Sequence, residues 1–213
     1  GVVTALPYPT LTITSGTGMF PAGHTIMLSG QGKRGAMAAE KFAGKLTTVQ
    51  GIALTRGALD MLQLSGGQRK PMEADGDAPA LPADQDLGRW KVSGEICDGK
   101  CLAGAMRPGR RMAHKACANL CIDGGAPPVF VSTAPVDGAS FFLLADPEGN
   151  PLPDSHDDLV ALMIEVEGDV EIVVVAIFTV VGVDKGLQPG LQQCAQVSPR
   201  VDAGVFGRGI QAK

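Results

Sequence analysis

Two cysteine pairs in this sequence share one spacing. Cys97 and Cys101 are four residues apart, as are Cys117 and Cys121, and His114 precedes the second pair by three residues. Thiolates and imidazoles clustered in this way bind zinc and softer metal ions, and thiols also pair as disulfides. This segment is therefore where the residue types point most clearly to chemistry.

The stretch "HKACANLC" predicts one short helix. Positions i, i+3 and i+7 of a helix share a face, so His114, Cys117 and Cys121 would lie together. Cys101 could then complete a set of three cysteines and one histidine, which zinc accepts in tetrahedral geometry. On this interpretation the metal ligands are Cys101, His114, Cys117 and Cys121.

Other metals and other nearby groups fit the same segment. Cu(I) accepts thiolates, and Met106 and Met112 offer thioether sulfur; an iron cofactor is a third option. Asp98 and Asp123 flank the segment and could either orient His114 as hydrogen-bond acceptors or cap turns.

Disulfides compete with a metal for these residues. The candidates are Cys97, Cys101, Cys117, Cys121 and Cys194. A helical hairpin joined by two disulfides needs both pairs on helices, whereas "KVSGEICDG" predicts a strand at Cys97. Disulfides of another connectivity remain open, because four cysteines allow three pairings in all, and five leave one odd thiol. A third interpretation treats cysteine as a small buried apolar residue.

The residues around the cluster carry a resemblance. "GEICDGKC", followed by "HKACANLCIDGGAPPVFV" and an "FFLL" strand, resembles a bacterial group of exported or membrane-anchored β-rich proteins that has no established activity. The resemblance implies that Cys101 and the residues of "HKACANLC" belong to a shared pattern, whereas Cys97 is incidental or pairs with Cys194. It also implies a periplasmic or extracytoplasmic location, with any membrane association through a segment before Gly1.

The stretch "GQGKRG" (residues 30–35) has the glycine spacing of a dinucleotide-binding turn. That fold needs an acidic residue about 20 positions further on, but "VQGIALTRG" offers only Arg56. The sequence therefore favours a plain glycine-rich turn with Lys33 and Arg34 in solvent.

Composition excludes one class of partner. The net charge is −4 and aromatic residues are 4% of the chain, so both the phosphate and the base-stacking contributions to nucleic-acid binding are weak. No apolar run reaches the roughly 18–20 residues of a membrane-spanning helix; "VEIVVVAIFTVVGV" is interrupted by Glu171 and predicts buried strand.

Frequent turns and β-branched runs predict an all-β protein with short helices, built as tandem OB-like small β-barrels. Residues 1–65 form the first barrel, 66–88 a Pro/Gly/acidic linker, 89–183 the second barrel with the Cys/His segment, and 184–213 an extended tail. Tight turns are predicted at Arg56–Gly57, Asp137–Gly138 and Glu167–Gly168.

The sequence carries no recognisable set of catalytic residues. This favours a non-catalytic exported protein that is an accessory factor or subunit of a bacterial envelope complex and has a protein partner there. In that protein the Cys/His segment would hold a long loop in place. The alternative is a metal-binding or redox protein that holds zinc, copper or an iron cofactor. A nucleotide-dependent enzyme built on "GQGKRG" is the weakest hypothesis.

Overall fold

The computed structural model describes residues 1–172 and 175–184. Strands account for 45% of the residues and helices for 16%, so the prediction of a mostly β protein with short helices is confirmed. Cys194 and the predicted tail beyond residue 184 lie outside the described residues.

The first half of the chain contains seven strands and one helical turn, α1 (Met37–Glu40). The strands are β1 (Val2–Thr4), β2 (Thr10–Thr12), β3 (Thr25–Ser29), β4 (Thr47–Thr48), β5 (Gly51–Arg56), β6 (Leu59–Leu64) and β7 (Met72–Glu73). Five of them form one sheet in the order β1-β2-β3-β6-β5, while β4 and β7 pair separately. Only the β3–β6 pair in the five-stranded sheet is parallel.

Among its described residues, the second half has five longer strands and one α-helix, α2 (Lys115–Asp123). The strands are β8 (Gln85–Asp98), β9 (Pro128–Val136), β10 (Ala139–Ala145), β11 (Met163–Ile172) and β12 (Ala176–Asp184). Their order is β10-β12-β11-β8-β9. Because β9 also pairs with β10, the hydrogen-bonded strands form a closed ring. The β10–β12 pair is again parallel.

The segment predicted as a linker contains regular structure. A 3₁₀ turn spans Gly67–Arg69, and β7 pairs with β4. Strand β8 begins at Gln85, before the predicted domain boundary at residue 89.

The two sheets pack against each other through one apolar cluster. From the first sheet it takes Met27 and Met61, and from the second it takes Val129 and Leu143, all of them buried. Each sheet also has its own apolar core, and the second is built around Phe130, Phe142 and Phe178. The halves are therefore joined by a shared apolar cluster, and loops of the first half contact the second.

No helix among the described residues has both the length and the apolar character needed to cross a membrane.

Candidate metal centre

The end of β8 positions the first cysteine of the cluster. Asp98, the last residue of β8, is fully buried. Its Oδ1 accepts a hydrogen bond of 2.7 Å from the backbone N–H of Cys101, which fixes the turn that follows. Cys101 then opens a short helical segment, Cys101–Ala105, and is itself buried.

Helix α2 supplies the second and third cysteines. A 3₁₀ turn, Met112–His114, leads directly into α2. Cys117 and Cys121 lie one helical turn apart on α2, so both project from the same face. His114 is buried just before the helix, and its Nε2 lies 3.0 Å from Asp98 Oδ2.

These residues form two overlapping groups of metal-ligating atoms. One group is Cys101, His114 and Cys117; the other is Asp98, Cys101 and Cys121, and within each group the atoms lie within 4.8 Å of one another. Cys101 belongs to both groups and so lies at the centre. The four ligand residues predicted from the sequence are thus divided between two groups that share Cys101, and Asp98 is added in the second group.

A loop of the first half covers this cluster. Lys33 Nζ donates to Cys117 Sγ at 2.8 Å and approaches Cys121 Sγ at 3.6 Å. Lys33 is exposed, as predicted, and its ammonium also contacts the cysteines, which the sequence did not indicate. The sequence gives little indication of this contact, because a lysine in a glycine-rich turn has no characteristic spacing from a distant cysteine.

The covering loop is held by close backbone contacts. Gly35 N donates to Gly124 O at 2.7 Å. From the other side, Lys100 Nζ donates to the carbonyl oxygens of Gly30 and Gly32, both at 2.6 Å. A Cβ added at Gly124 would collide with the Lys33 carbonyl oxygen, so the contact requires glycine there.

The electrostatics of the cluster favour a thiolate. The pKa of Cys121 is lowered to about 7, first by the hydrogen bond that the Cys101 thiol donates to it and then by the Lys33 ammonium. Burial and the negative charge of Asp98 act in the opposite direction but are weaker. The same hydrogen bond, together with burial, raises the pKa of Cys101. The hydrogen bond to Cys117 raises the pKa of Lys33, which keeps the ammonium charged beside the sulfur atoms.

Disulfides do not hold this segment in the structure. Cys97, Cys101, Cys117 and Cys121 are all free thiols, so the predicted disulfide staple is absent among them. Cys97 is separate from the cluster: it is buried in the apolar contact between the sheets. Burial and the nearby Glu95 raise its pKa, as expected of an inert thiol.

The structure also places other residues near the cluster. Met106 Sδ lies 3.7 Å from Cys117 Sγ. Lys115 donates to three backbone carbonyls, those of residues 157, 158 and 160. Asp123 is exposed on the last turn of α2, so of the two flanking carboxylates it is Asp98 that contacts His114.

No family model matches this chain, and no curated protein or solved structure matches it either. The resemblance drawn from the cysteine pattern therefore stays a prediction.

Proposed function

We propose that this protein binds one zinc ion through Cys101, Cys117, Cys121 and His114. The observation that carries the proposal is the convergence of sulfur, imidazole and carboxylate groups around Cys101. Three cysteines and one histidine are a standard tetrahedral set for structural zinc, with bonds of about 2.3 Å to sulfur and about 2.0–2.1 Å to nitrogen.

Asp98 supports the proposal because it has the partner expected beside a metal-binding histidine. Ligand histidines usually donate their second ring N–H to a carboxylate, which fixes the tautomer and orients the ring. With Nε2–H donating to Asp98 Oδ2, Nδ1 is the nitrogen that carries the free lone pair. The metal bond is thus assigned to Nδ1.

The charges around the cluster also suit a divalent ion. Three thiolates and Asp98 carry four negative charges. Zn²⁺ and the ammonium groups of Lys33 and Lys100 supply four positive charges. Burial of unbalanced charge is costly, and the net charge of this combination of groups is zero.

We further propose that each five-stranded sheet is an OB-like barrel. Both follow the order first-second-third-fifth-fourth, with a single parallel pair between the third and fifth strands. A five-stranded Greek-key barrel is typical of the OB fold. The metal segment then lies between the first two strands of the second barrel.

A structural role follows from these contacts. The ion would pin the long β8–β9 connection to the end of β8 and, through Lys33, to the first half. This retains the hypothesis of a non-catalytic accessory protein, with a metal in place of a disulfide; export and an envelope partner are proposed from the sequence resemblance alone.

The test is metal content of the full chain purified under reducing conditions. We expect about one zinc per chain, and Co²⁺ substitution should give thiolate-to-cobalt charge-transfer absorption. Cys121→Ser should lose both, whereas the matched control Cys97→Ser, which changes another buried cysteine, should keep both. Absence of metal in the wild type, or equal loss in the two variants, would refute the proposal.

A further inference from the structure

Cys117 differs from the other two cysteines of the cluster in accessibility. Cys101 and Cys121 are 4% and 2% exposed, whereas Cys117 is only partly buried. An external reagent would therefore meet the Cys117 sulfur first. The two buried thiols lie behind it, and Cys101 is close to it.

The groups around Cys117 are those of an activated nucleophile. A ring nitrogen of His114 lies within 4.8 Å of its sulfur, and Asp98 holds that ring through Nε2 at 3.0 Å. A nucleophile, a base and a group that orients the base are the recurring arrangement in covalent chemistry at sulfur and oxygen. The Lys33 ammonium lies 2.8 Å from the same sulfur.

We propose that, when it is free of metal, this cluster is a thiol–disulfide exchange site, with Cys117 as the attacking thiol and Cys101 as the resolving thiol. The proposal rests on the same residues as the proposed zinc site and describes its metal-free state. Zinc, bound to both sulfur atoms, would protect them from exchange.

The reaction balances without any further reagent. The Cys117 thiolate attacks one sulfur of an external disulfide, a mixed disulfide forms at Cys117, and the first thiolate leaves. The Cys101 thiolate then attacks the Cys117 sulfur, which forms a Cys101–Cys117 disulfide and expels the second thiolate. Two electrons pass from the protein to the external disulfide, and the two thiol protons pass to the leaving groups or to water.

The rim of the site selects the class of disulfide. Lys33, which is exposed, lies 2.8 Å from Cys117 Sγ through its Nζ, and the exposed Arg107 directly follows Met106, whose Sδ lies 3.7 Å from that sulfur. The chain as a whole has a net charge of −4, so these cationic side chains give the site a local positive charge on an acidic protein. It favours an anionic disulfide, because opposite charge raises the local concentration of the reagent.

The test uses Ellman's reagent, an anionic aromatic disulfide, on the reduced, zinc-free full chain. Every protein carries Cys194→Ser, so that Cys194 contributes no signal. We expect two thiolates released for each chain and a product that has lost two hydrogen atoms and retains no adduct. With Cys101→Ser, one thiolate should be released and the adduct should stay on Cys117. Cys97→Ser, which changes a buried cysteine outside the cluster, should behave like the parent.

Opposite outcomes overturn the assignment. A stable adduct in the parent would eliminate exchange, and a stall in Cys121→Ser rather than in Cys101→Ser would eliminate Cys101 as the resolving thiol. Zinc content, measured separately on the same proteins, keeps the two proposals apart. Bound zinc without exchange refutes only this inference, whereas exchange without zinc binding refutes only the proposed function.

The charge preference has its own comparison. Arg107→Gln should slow Ellman's reagent by up to about tenfold and leave cationic cystamine unslowed, while Arg69→Gln, an exposed arginine of the first half, should affect neither. Equal effects of Arg107→Gln on both disulfides would refute the preference for anionic substrates.

Discussion

Asp98 connects the two halves of the metal segment through a single carboxylate. One oxygen accepts the backbone N–H of Cys101 and the other holds His114 Nε2. Because the side chain is completely buried, water cannot replace either hydrogen bond. A change at this residue therefore acts on the ligands without touching the metal directly.

Asp98→Asn tests that role at nearly constant shape. The asparagine oxygen can still accept from Cys101, but its amide N–H would face His114 Nε2 and force the ring proton onto Nδ1, the nitrogen assigned to zinc. We expect zinc affinity to fall by about 10–100-fold, measured by competition with a chromophoric chelator. Asp123→Asn, on the exposed end of α2, is the matched control, and an unchanged affinity in Asp98→Asn would refute the orienting role.

Tyr8 gives a pH prediction that can be measured without interference, since it is the only tyrosine. Burial raises its pKa from 10.0 to about 12, and its hydroxyl oxygen accepts the Leu152 N–H at 3.1 Å. A raised pKa means that the neutral form stabilises the fold below pH 10, and that this contribution is lost between pH 10 and 12. Tyrosinate absorbance should therefore titrate near 12 in the native protein and near 10 in denaturant; a native midpoint near 10 would contradict the burial.

Cys101, His114, Cys117 and Cys121 were predicted as members of the candidate site because they lie close together in the sequence, the last three with the spacing of one helix face. Asp98 was also among the flanking candidates. Lys33 was missed because its contact with Cys117 joins residues 84 positions apart. That contact depends on how the halves dock, and no local pattern encodes it.

At the scale of elements, the loop of residues 30–35 and the end of α2 approach through glycine. Gly35 and Gly124 meet by a backbone hydrogen bond, and the side chain of Lys33 reaches the cysteines from this loop. The closeness of the two backbones is what allows a loop of the first half to contribute a charge to a cluster on the second.

Gly124→Ala should separate these two elements. Its added methyl would collide with the Lys33 carbonyl oxygen, and we expect a loss of about 1–3 kcal/mol in the free energy of unfolding together with faster alkylation of Cys117. Gly18→Ala is the matched control, because it is exposed with nothing near its added methyl. Equal stability of the two variants, measured by urea unfolding, would show that the loop is not docked.

Turns were predictable where glycine adopts a left-handed conformation. Gly57 and Gly138 have φ of 61° and 82° and end β-hairpin strands at the predicted places. The predicted turn at Glu167–Gly168 was wrong, because both residues lie inside β11. Gly168 is needed there for a different reason: a side chain would collide with Phe178 and Thr179, and sequence cannot distinguish a turn glycine from a close-packed one.

At the scale of the whole molecule, the halves share an apolar contact as well as the cluster. Apolar alternation and turn residues were enough to predict two β-rich halves, because the alternation within a strand indicates which of its faces is buried. These patterns could not predict that Met27 and Met61 pack on Val129 and Leu143. An apolar residue on a strand has the same pattern whether it packs inside its own sheet's core or against the other sheet. Through this contact, the metal that we propose for the second half would stabilise both halves.

Zinc removal should therefore destabilise the entire protein in one step. With free zinc at about 100 times its Kd, binding should add about 2.7 kcal/mol to the free energy of unfolding. Trp90, the only tryptophan, reports the second half by fluorescence, and Tyr8 absorbance reports the contact between the halves, where its hydroxyl meets Leu152. A chelator should lower both transitions together; the effect should vanish in Cys101→Ser and persist in Cys97→Ser, and movement of only one transition would contradict coupled halves.

X-ray absorption at the zinc edge of the purified, reduced protein tests the central claim most directly. The account predicts about three sulfur neighbours at about 2.3 Å and one nitrogen at about 2.0–2.1 Å. Cys117→Ser should exchange one sulfur for a lighter atom, whereas Cys97→Ser should leave the shell unchanged. A first shell made only of nitrogen and oxygen, or a protein that holds no zinc, would contradict it.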